Sequence, residues 1–454
     1  FLCIDKKILN LIKYFWLINK IWEGGIGMVS ESIYKHEKRN LALIISGRFE
    51  SLIGASALMI AMPLYVLDLT GSGTIMGIFS MLGILPRLIT NPIGGVLGDR
   101  INRKWIMVGL DELRGLLLIF MGWLALMNKL SIVNLLLFRA LLSVMDGLFD
   151  GPTAAMFGDV VRKENMKTAT SLNSMAGAVS NIIGPILGGV LYGVYGFKNV
   201  IFMTAVLYIL SGISELFIIY KFQLSKSEKL EFFKELGEGV RFVVQNKGLK
   251  FLFTFAIVIN FLTSPLLSVV LPYIMRVKIG FSSTQFGTLE VFATVGALLG
   301  NILLVSIFRK SSSKQMIWLG LIAQGMVLIA LSILIMPYFG FSKSILYMLF
   351  GVGFFLVGLF NIIINVPINA NLQILTPSEL RSRVFSVLNT IAMGTVPISS
   401  ALYGFLIDKI DPFWFFLAIN VISMIVVLIF LLKAPEEAYV PSNLPNTSTV
   451  SSNV

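Results

Sequence analysis

Apolar residues fill most of the chain in long runs that are separated by short polar segments. A helix of about 20 apolar residues crosses the roughly 30 Å hydrocarbon layer of a membrane, whereas spanning strands need only about 10 residues and alternate apolar with polar. The runs here are of the longer kind and do not alternate. They predict an all-α membrane protein with twelve transmembrane helices in two six-helix bundles, at 41–67, 74–97, 105–127, 131–150, 169–194, 199–220, 249–275, 284–308, 315–337, 344–367, 383–407 and 413–432.

Composition agrees with this pattern. Of 454 residues, 56% are hydrophobic and 13% are charged, whereas soluble globular chains carry about 25% charged residues. The net charge of +12 would suggest nucleic acid in a soluble protein, but here the basic residues concentrate in alternate loops. One set of loops and chain ends carries about 22 Lys and Arg and the other about six, which is the positive-inside distribution. We expect a multi-pass protein of a bacterial cytoplasmic membrane with both termini in the cytoplasm, in contact with lipid and not with nucleic acid.

The two halves of the chain contain similar short segments at corresponding positions. The first span ends in MPLYV (62–66) and the seventh in LPYIM (271–275), and the turns that follow contain TIMG (74–77) and TQFG (284–287). Repeated segments at one offset are typical of duplicated transporters. The predicted order is a cytoplasmic segment, a six-helix bundle, an amphipathic cytoplasmic linker, a second bundle and a disordered cytoplasmic tail, at 1–40, 41–220, 221–248, 249–433 and 434–454.

The first 27 residues allow two interpretations. The chain opens on Phe1, and IWEGGIGM, which ends at Met28, is typical of a ribosome-binding site translated in frame. We expect Met28 to be the initiator and residues 1–27 not to be native. The alternative is an amphipathic helix on the membrane surface, because lysines alternate with large apolar residues there.

Several kinds of chemistry are excluded by residue counts. Cys3 and His36 are the only residues of their types, so neither a disulfide framework nor a multi-histidine metal site is expected. No Gly-x-x-x-x-Gly-Lys-Ser/Thr phosphate loop occurs. We expect no enzymatic activity, no cofactor and a monomer, and any energy-requiring work must draw on a gradient or a partner.

The stretch GVLGDRINRK (95–104) places four charged side chains between two apolar runs. It resembles the signature Gly-x-x-x-Asp-Arg-x-Gly-Arg-Lys between the second and third spans of the major facilitator superfamily. Asn102 replaces the last glycine, and asparagine tolerates a left-handed backbone better than most residues. The resemblance implies a cytoplasmic gate motif made of Gly95, Gly98, Asp99, Arg100, Arg103 and Lys104.

The same resemblance implies a latch for that gate. Asp99 would accept hydrogen bonds from the start of the eleventh helix, near TPSELRSRV (376–384), and hold the cytoplasmic side closed in the outward-open state. For Arg100, Arg103 and Lys104, simple anchoring of the topology is an equally open interpretation.

The fifth span contains GAVSNIIGPILGG (177–189), which resembles the antiporter motif of drug:proton exporters. Its candidate residues are Gly177, Gly184, Pro185, Gly188 and Gly189, and the alternative role for the glycines is close helix packing. The segments 136–174, 111–118 and 379–391 are similar to the macrolide-efflux-type branch of the superfamily.

Charged side chains within the spans are the candidates for proton coupling, since each costs about 2.5–3.5 kcal/mol at bilayer depth on insertion scales. Glu50 shares a small-residue face with Gly54, Ala57 and Ala61 that is expected to border a cavity, with pairing to a basic residue as the alternative. Glu290 shares a face with Thr294 and Asn301, where hydrogen bonding between helices is the alternative. The resemblance adds Arg139, which lies on one face with Ser143, Asp146 and Asp150.

Substrate contacts are predicted from Arg48, Asn260, Asn361 and Asn365, although amides in a membrane bundle also join helices to one another. A local ion pair is expected among Asp111, Glu112 and Arg114. The resemblance implies a secondary transporter that exports amphipathic drug-like compounds, macrolides among them, in exchange for protons. The alternatives are an exporter of an endogenous metabolite such as a siderophore or peptide, an importer, or a non-transporting sensor of the same fold.

Overall fold

The computed structural model describes residues 36–220, 232–308, 311–377 and 380–439. Twelve long helical segments confirm the predicted all-α architecture. They are α1 (Glu37–Thr70), α2 (Gly73–Arg100), α3 (Arg103–Leu126), α4 (Ile132–Val160), α5 (Met166–Tyr195), α6 (Phe197–Leu216), α7 (Lys247–Ile279), α8 (Ser283–Ser306), α9 (Ser313–Leu334), α10 (Lys343–Leu375), α11 in two parts (α11a, Arg381–Gly394, and α11b, Val396–Ile407) and α12 (Pro412–Lys433). Eleven of these are long and apolar enough to span a membrane, and α3 is the exception because it carries charges in its middle.

Local sequence signals explain where many helices begin. The side chains of Ser72, Ser131, Ser282, Ser312 and Ser342 each accept a hydrogen bond from a backbone N–H in the first turn of the following helix. Such caps satisfy backbone donors that have no partner within the helix. At α8 and α9 a glutamine in the first turn returns a bond to the cap and completes a capping box.

Two helices extend well past their predicted ends. We expected α4 to end at residue 150 and α10 at 367, but they continue to Val160 and Leu375. Hydropathy marks only the most apolar part of a helix, and these extensions of mixed polarity are held by packing, with Val160 and Leu372 buried. α11a begins at Arg381, within the segment 376–384 where we expected its start, and α11 breaks at Thr395, just before Pro397, which lacks a backbone donor.

The linker contains a helix at Phe232–Gln245 that packs against α11a and α7. We call the end of the molecule where this helix, Glu37 and Lys433 lie the linker face, and the opposite end the far face. Residues 434–439, which we expected to belong to a disordered tail, pack against α9 and α10 at the linker face. There Tyr439 accepts a hydrogen bond from Trp318 Nε1 at 3.3 Å. The predictions for residues 1–35, 221–231 and 440–454 lie outside the described residues.

The two bundles, α1–α6 and α7–α12, pack most closely toward the far face. There α5 meets α8, where a Cβ on Gly189 would lie 3.3 Å from the Cα of Gly287. On the other side α2 meets α11b, and Ser80 Oγ lies 3.4 Å from Ser400 Oγ. Toward the linker face, α5 leaves side chains such as Met175 exposed. The described part of the molecule is thus closed at the far face and open toward the linker face.

Candidate functional site

A cluster of buried charges lies inside the N-terminal bundle. Arg114 of α3 donates to Asp111 Oδ1 at 2.7 Å, and its other terminal nitrogen lies 2.9 Å from Asp146 Oδ1 of α4. Ser211 of α6 donates to Asp111 Oδ2 at 2.6 Å. The side chains of Arg114 and Asp111 are 3% and 0% exposed. We call Asp111, Arg114, Asp146 and Glu215 the charge cluster; it joins three helices and is far more buried than the local ion pair that we expected.

Glu215 of α6 is the member of this cluster that sequence reasoning missed. It is 1% exposed, and its Oε2 has no hydrogen-bond partner in the described ranges of the chain. α1 packs closely on this part of α6, since a Cβ on Gly47 would lie 3.3 Å from Ser211 O and 3.5 Å from Glu215 Cγ. A signal existed, because Glu215 follows Ser211 by one helical turn and shares its face.

The contact between α2 and α4 contains Arg139 and Asp150 of α4. Ser143 Oγ donates to Gly83 O at 2.9 Å, and Arg87 pairs with Asp150 at 2.7 Å. The guanidinium of Arg139 lies 5.3 Å from the ring centroid of Phe79 and makes no hydrogen bond or ion pair with any described residue. The predicted common face of α4 is therefore divided, because Asp146 alone contacts Arg114 of α3.

Glu50 is half-buried, and the small residues that follow it on its face of α1 pack against two neighbouring helices. Gly54, one turn further along α1, abuts Thr204 of α6, and Ala57 abuts Gly188 of α5. The small-residue face of α1 is therefore a packing face, since small residues permit close helix approach. One carboxylate oxygen of Glu50 is buried without a partner, so the predicted pairing with a basic residue is absent within the described residues. Arg48 is half-buried and forms no described ion pair either.

Glu290 lies on α8 between the residues of that helix that pack against the N-terminal bundle and those that pack against the C-terminal bundle. Gly287, one turn earlier, abuts Pro185 of α5, and Gly296 further along abuts Phe355 of α10. The Glu290 side chain is half-buried and has no hydrogen-bond partner among the described residues. Thr294 Oγ1 bonds to the backbone of its own helix, at Glu290 O, and does not join helices.

The gate motif is tied within its own bundle. Asp99 pairs with Arg103 at 3.2 Å, and Arg103 also donates to Gly98 O at 2.8 Å and forms an ion pair with Asp159 of α4. Asn102 has φ of −56° and caps α3, so the left-handed backbone that we expected is absent. Among the described residues Asp99 contacts Arg103 only, so its latch on the eleventh helix stays a prediction for another state.

The remaining gate residues fall into two groups. Gly98 allows α2 to approach α4, since a Cβ there would lie 3.2 Å from the Cα of Pro152. A Cβ on Gly151 of α4 would lie 3.1 Å from the Cα of Gly95, whereas a Cβ on Gly95 itself would meet no described atom within 4 Å. Arg100 is exposed, and the Lys104 ammonium lies 5.4 Å from the ring centroid of Trp105. These two cations fit the simpler role of anchoring the chain at the membrane surface.

The candidate antiporter motif is a packing surface with two neighbours. Gly184 and Gly188 abut Ser56 and Ala57 of α1, whereas Gly189 abuts Ser283 at the start of α8. A Cβ on Gly177 would meet nothing within 4 Å. Pro185 lies within α5, which continues through it from Met166 to Tyr195.

The C-terminal bundle encloses an uncharged cavity of about 450 Å³, which we call the amide cavity. It contains three of the four predicted substrate residues, Asn260 of α7 and Asn361 and Asn365 of α10, but not Arg48. Its polar lining residues are Asn260, Thr263, Ser264, Gln324, Asn361, Asn365, Asn369, Asn420 and Ser423, and apolar side chains make up the rest. No charged residue lines it in the part of the chain that the structure describes.

Two polar ties hold the halves together at the far face. Asp68 of α1 binds Arg276 of α7 through two hydrogen bonds of 2.6 and 2.7 Å. Asp408, after α11b, accepts bonds of 2.7 to 2.9 Å from Ser72 Oγ, Gly73 N and both the N–H and hydroxyl of Thr74, at the start of α2. A carboxylate at a helix N-terminus is favoured by the helix dipole.

The second tie carries a pH prediction. Burial acts to raise the pKa of Asp408, but hydrogen bonds from Thr74, Gly73 and Ser72 outweigh it and hold the pKa below its usual value. A group whose pKa is lowered in the bound state contributes its stability above its free pKa, about 3.9 for Asp, and loses it only as the pH falls further. We expect the far face to stay closed between about pH 5 and about pH 8.

Removing the carboxylate is expected to open the far face. Asp408→Asn removes the interaction between the carboxylate charge and the N-terminus of α2. We expect the fraction of molecules that are open at the far face to rise about three-fold. Distances between spin labels at Lys129→Cys and Tyr338→Cys, in a variant without Cys3, measure this opening. If the far face of the unsubstituted protein opens when the pH is lowered from about 8 to about 5, then the role given to the Asp408 carboxylate is wrong.

Comparisons with known proteins agree with this architecture. A family model described as Major Facilitator Superfamily matches residues 44–394. The chain is 24% identical over 405 residues to macrolide efflux protein A of Streptococcus pyogenes, covering 87% of this chain and 96% of that protein. It is 28% identical over 304 residues to multidrug resistance protein MdtG of Escherichia coli, covering 65% of this chain and 72% of that protein.

Solved structures share the fold at low identity. The nucleoside transporter NupG aligns with a TM-score of 0.69 at 12% identity, covering 87% of this chain and 99% of that one. A bacterial homologue of the iron transporter ferroportin, in an inward-facing state, aligns with a TM-score of 0.68 at 15% identity, covering 87% and 98%. These relationships point to a multi-pass membrane transporter and not to an enzyme family. Because the family match extends over most of the chain and the twelve-helix fold agrees with it, the protein belongs to the major facilitator superfamily.

Proposed function

We propose that this chain exports amphipathic drug-like compounds across a cytoplasmic membrane in exchange for protons, with the linker face and both chain ends in the cytoplasm. The observation that carries the proposal is the set of carboxyl groups buried within the bundles. Asp111 and Glu215 are almost fully buried, and Glu50 and Glu290 have no described partner. Intramembrane carboxyl groups are costly and are typically kept for ion or proton pathways.

Alternating access supplies the mechanism. In the described state the far-face ties are closed, so substrate enters from the linker face. Substrate binding favours release of protons into the cytoplasm and reorientation to the outward-open state. Protons from outside then neutralise Glu50, Glu290 or Glu215 and favour the return. The expected latch of Asp99 on the eleventh helix belongs to the outward-open state.

Two observations support the substrate class. The amide cavity joins apolar walls to neutral hydrogen-bonding groups, which suits amphipathic molecules. The relatives named for macrolide efflux and multidrug resistance point in the same direction. Antibiotic resistance and a monomeric state are parts of the same proposal.

The test is gradient-driven accumulation in everted membrane vesicles, with ethidium and radiolabelled erythromycin as probes. We expect accumulation with the unsubstituted chain and a loss of about ten-fold or more in Glu50→Gln, Glu290→Gln or Glu215→Gln, because an amide cannot carry the proton of a carboxyl group. Glu164→Gln, an exposed change at the linker face, is the matched control. Folded protein that accumulates neither probe would overturn the proposal in favour of a dedicated metabolite carrier, an importer or a sensor.

A further inference from the structure

We propose that the buried end of the amide cavity is a binding subsite for an uncharged hydrogen-bond donor, a hydroxyl or amide N–H, on an otherwise apolar molecule. The proposal rests on the proposed function, since it describes part of the transported substrate. Its centre is formed by Asn420 and Ser423 of α12, which line the cavity and are 2% and 6% exposed.

The hydrogen bonds of Asn420 fix which of its atoms is free. Its Nδ2 donates to Ser332 Oγ at 2.9 Å and to Phe416 O at 3.0 Å. Ser332 Oγ itself donates to Leu328 O at 2.7 Å, so toward Asn420 it can only accept. The amide nitrogen is therefore fully engaged, and Asn420 Oδ1 is a buried acceptor without a partner among the described residues.

Ser423 adds a second unpartnered group three residues along the same helix. Its hydroxyl is buried and makes no hydrogen bond within the part of the chain that the structure describes. A buried polar atom without a partner costs about 1–3 kcal/mol, so two such atoms on residues that line one cavity are costly until something binds there. An incoming group must donate to Asn420 Oδ1, and Ser423 Oγ can accept or donate.

The rest of the lining excludes a charged occupant. No acidic or basic side chain lines the cavity among the described residues, and an ammonium buried there would have no counter-ion. Toward the open side, Asn361 and Asn365 of α10 are exposed neutral amides. The apolar walls then hold the hydrocarbon part of the molecule, and the hydroxyl or amide N–H lies at the buried end.

The test uses two steroids that differ in hydroxyl groups, tritiated corticosterone and tritiated progesterone, with the full chain in lipid nanodiscs. We expect corticosterone to bind about ten-fold more tightly, the equivalent of about 1.4 kcal/mol. Ser423→Ala and Asn420→Leu should each reduce this preference to about two-fold or less while progesterone binding stays unchanged. Ser399→Ala is the matched control, because this buried hydroxyl bonds only to its own helix and does not line the cavity.

Three results would overturn the subsite. They are equal binding of the two steroids by the unsubstituted chain, an undiminished preference in both variants, or an equal loss of both steroids in Ser423→Ala, the milder of the two changes. An undiminished preference would mean that water alone fills the buried end. Vesicle transport separates this inference from the proposed function. If the vesicles accumulate the transport probes but the chain binds both steroids equally, only the subsite is refuted. If the chain prefers corticosterone but the vesicles show no gradient-driven accumulation, only proton-coupled export is refuted.

Discussion

Replacing Arg114 with methionine is expected to cost about 3–5 kcal/mol of stability and to abolish transport, because it leaves a fully buried carboxylate without its counter-charge. Arg114 contacts two carboxylates, and its guanidinium also lies 4.4 Å from the ring centroid of Phe149. Methionine retains much of the side-chain volume, so the lost charge dominates over a new cavity. The measurement is the midpoint of thermal unfolding of the purified protein in detergent.

Arg87→Met is the matched control for this prediction. Arg87 also pairs with an aspartate of α4, but its side chain is 51% exposed and that of Asp150 is 38% exposed. Exposed pairs contribute about 0–1 kcal/mol, so this change should have little effect on unfolding. The double variant Arg114→Met/Asp111→Asn should recover part of the loss. Equal midpoints for Arg114→Met and Arg87→Met would show that the charge cluster is not a stabilising unit.

Replacing Gly188 with alanine is expected to destabilise the protein by about 1–3 kcal/mol and to impair transport, because the added methyl group overpacks a helix contact. A Cβ at this position would overlap the carbonyl oxygen of Ala57 and lie 2.8 Å from its Cα. Backbone atoms cannot move aside as a flexible side chain does, so α5 must separate from α1. Thermal unfolding and vesicle transport measure the two consequences.

Gly177→Ala provides a control within the same motif. A Cβ there meets nothing within 4 Å, and alanine favours the helix by up to about 1 kcal/mol relative to glycine. We therefore expect unchanged or slightly higher stability. If Gly177→Ala impairs transport as strongly as Gly188→Ala, then the motif acts through something other than the packing of α5 on α1.

The number, type and order of the helices could be predicted from the sequence because these depend on local properties. Runs of apolar residues set the spans, and serines such as Ser282 and Ser312 set helix starts through bonds within one turn. The gate motif could be recognised for the same reason, as a contiguous string. Helix ends at Val160 and Leu375 could not, since packing beyond the apolar layer maintains them.

The sequence by itself determined a twelve-helix membrane transporter with acidic residues inside its bundles and amides in its second half. Only the tertiary structure decided that Glu215 lies with Asp111 and Arg114, that the Glu50 face packs against helices, and that Asp408 caps α2 across the two halves. These outcomes depend on how each helix is rotated and shifted against its neighbours, and a residue's spacing along one helix does not specify the helix that it faces. The unpartnered oxygen of Asn420 belongs to this second class, because Ser332 and Phe416 together decide which end of its amide is left free.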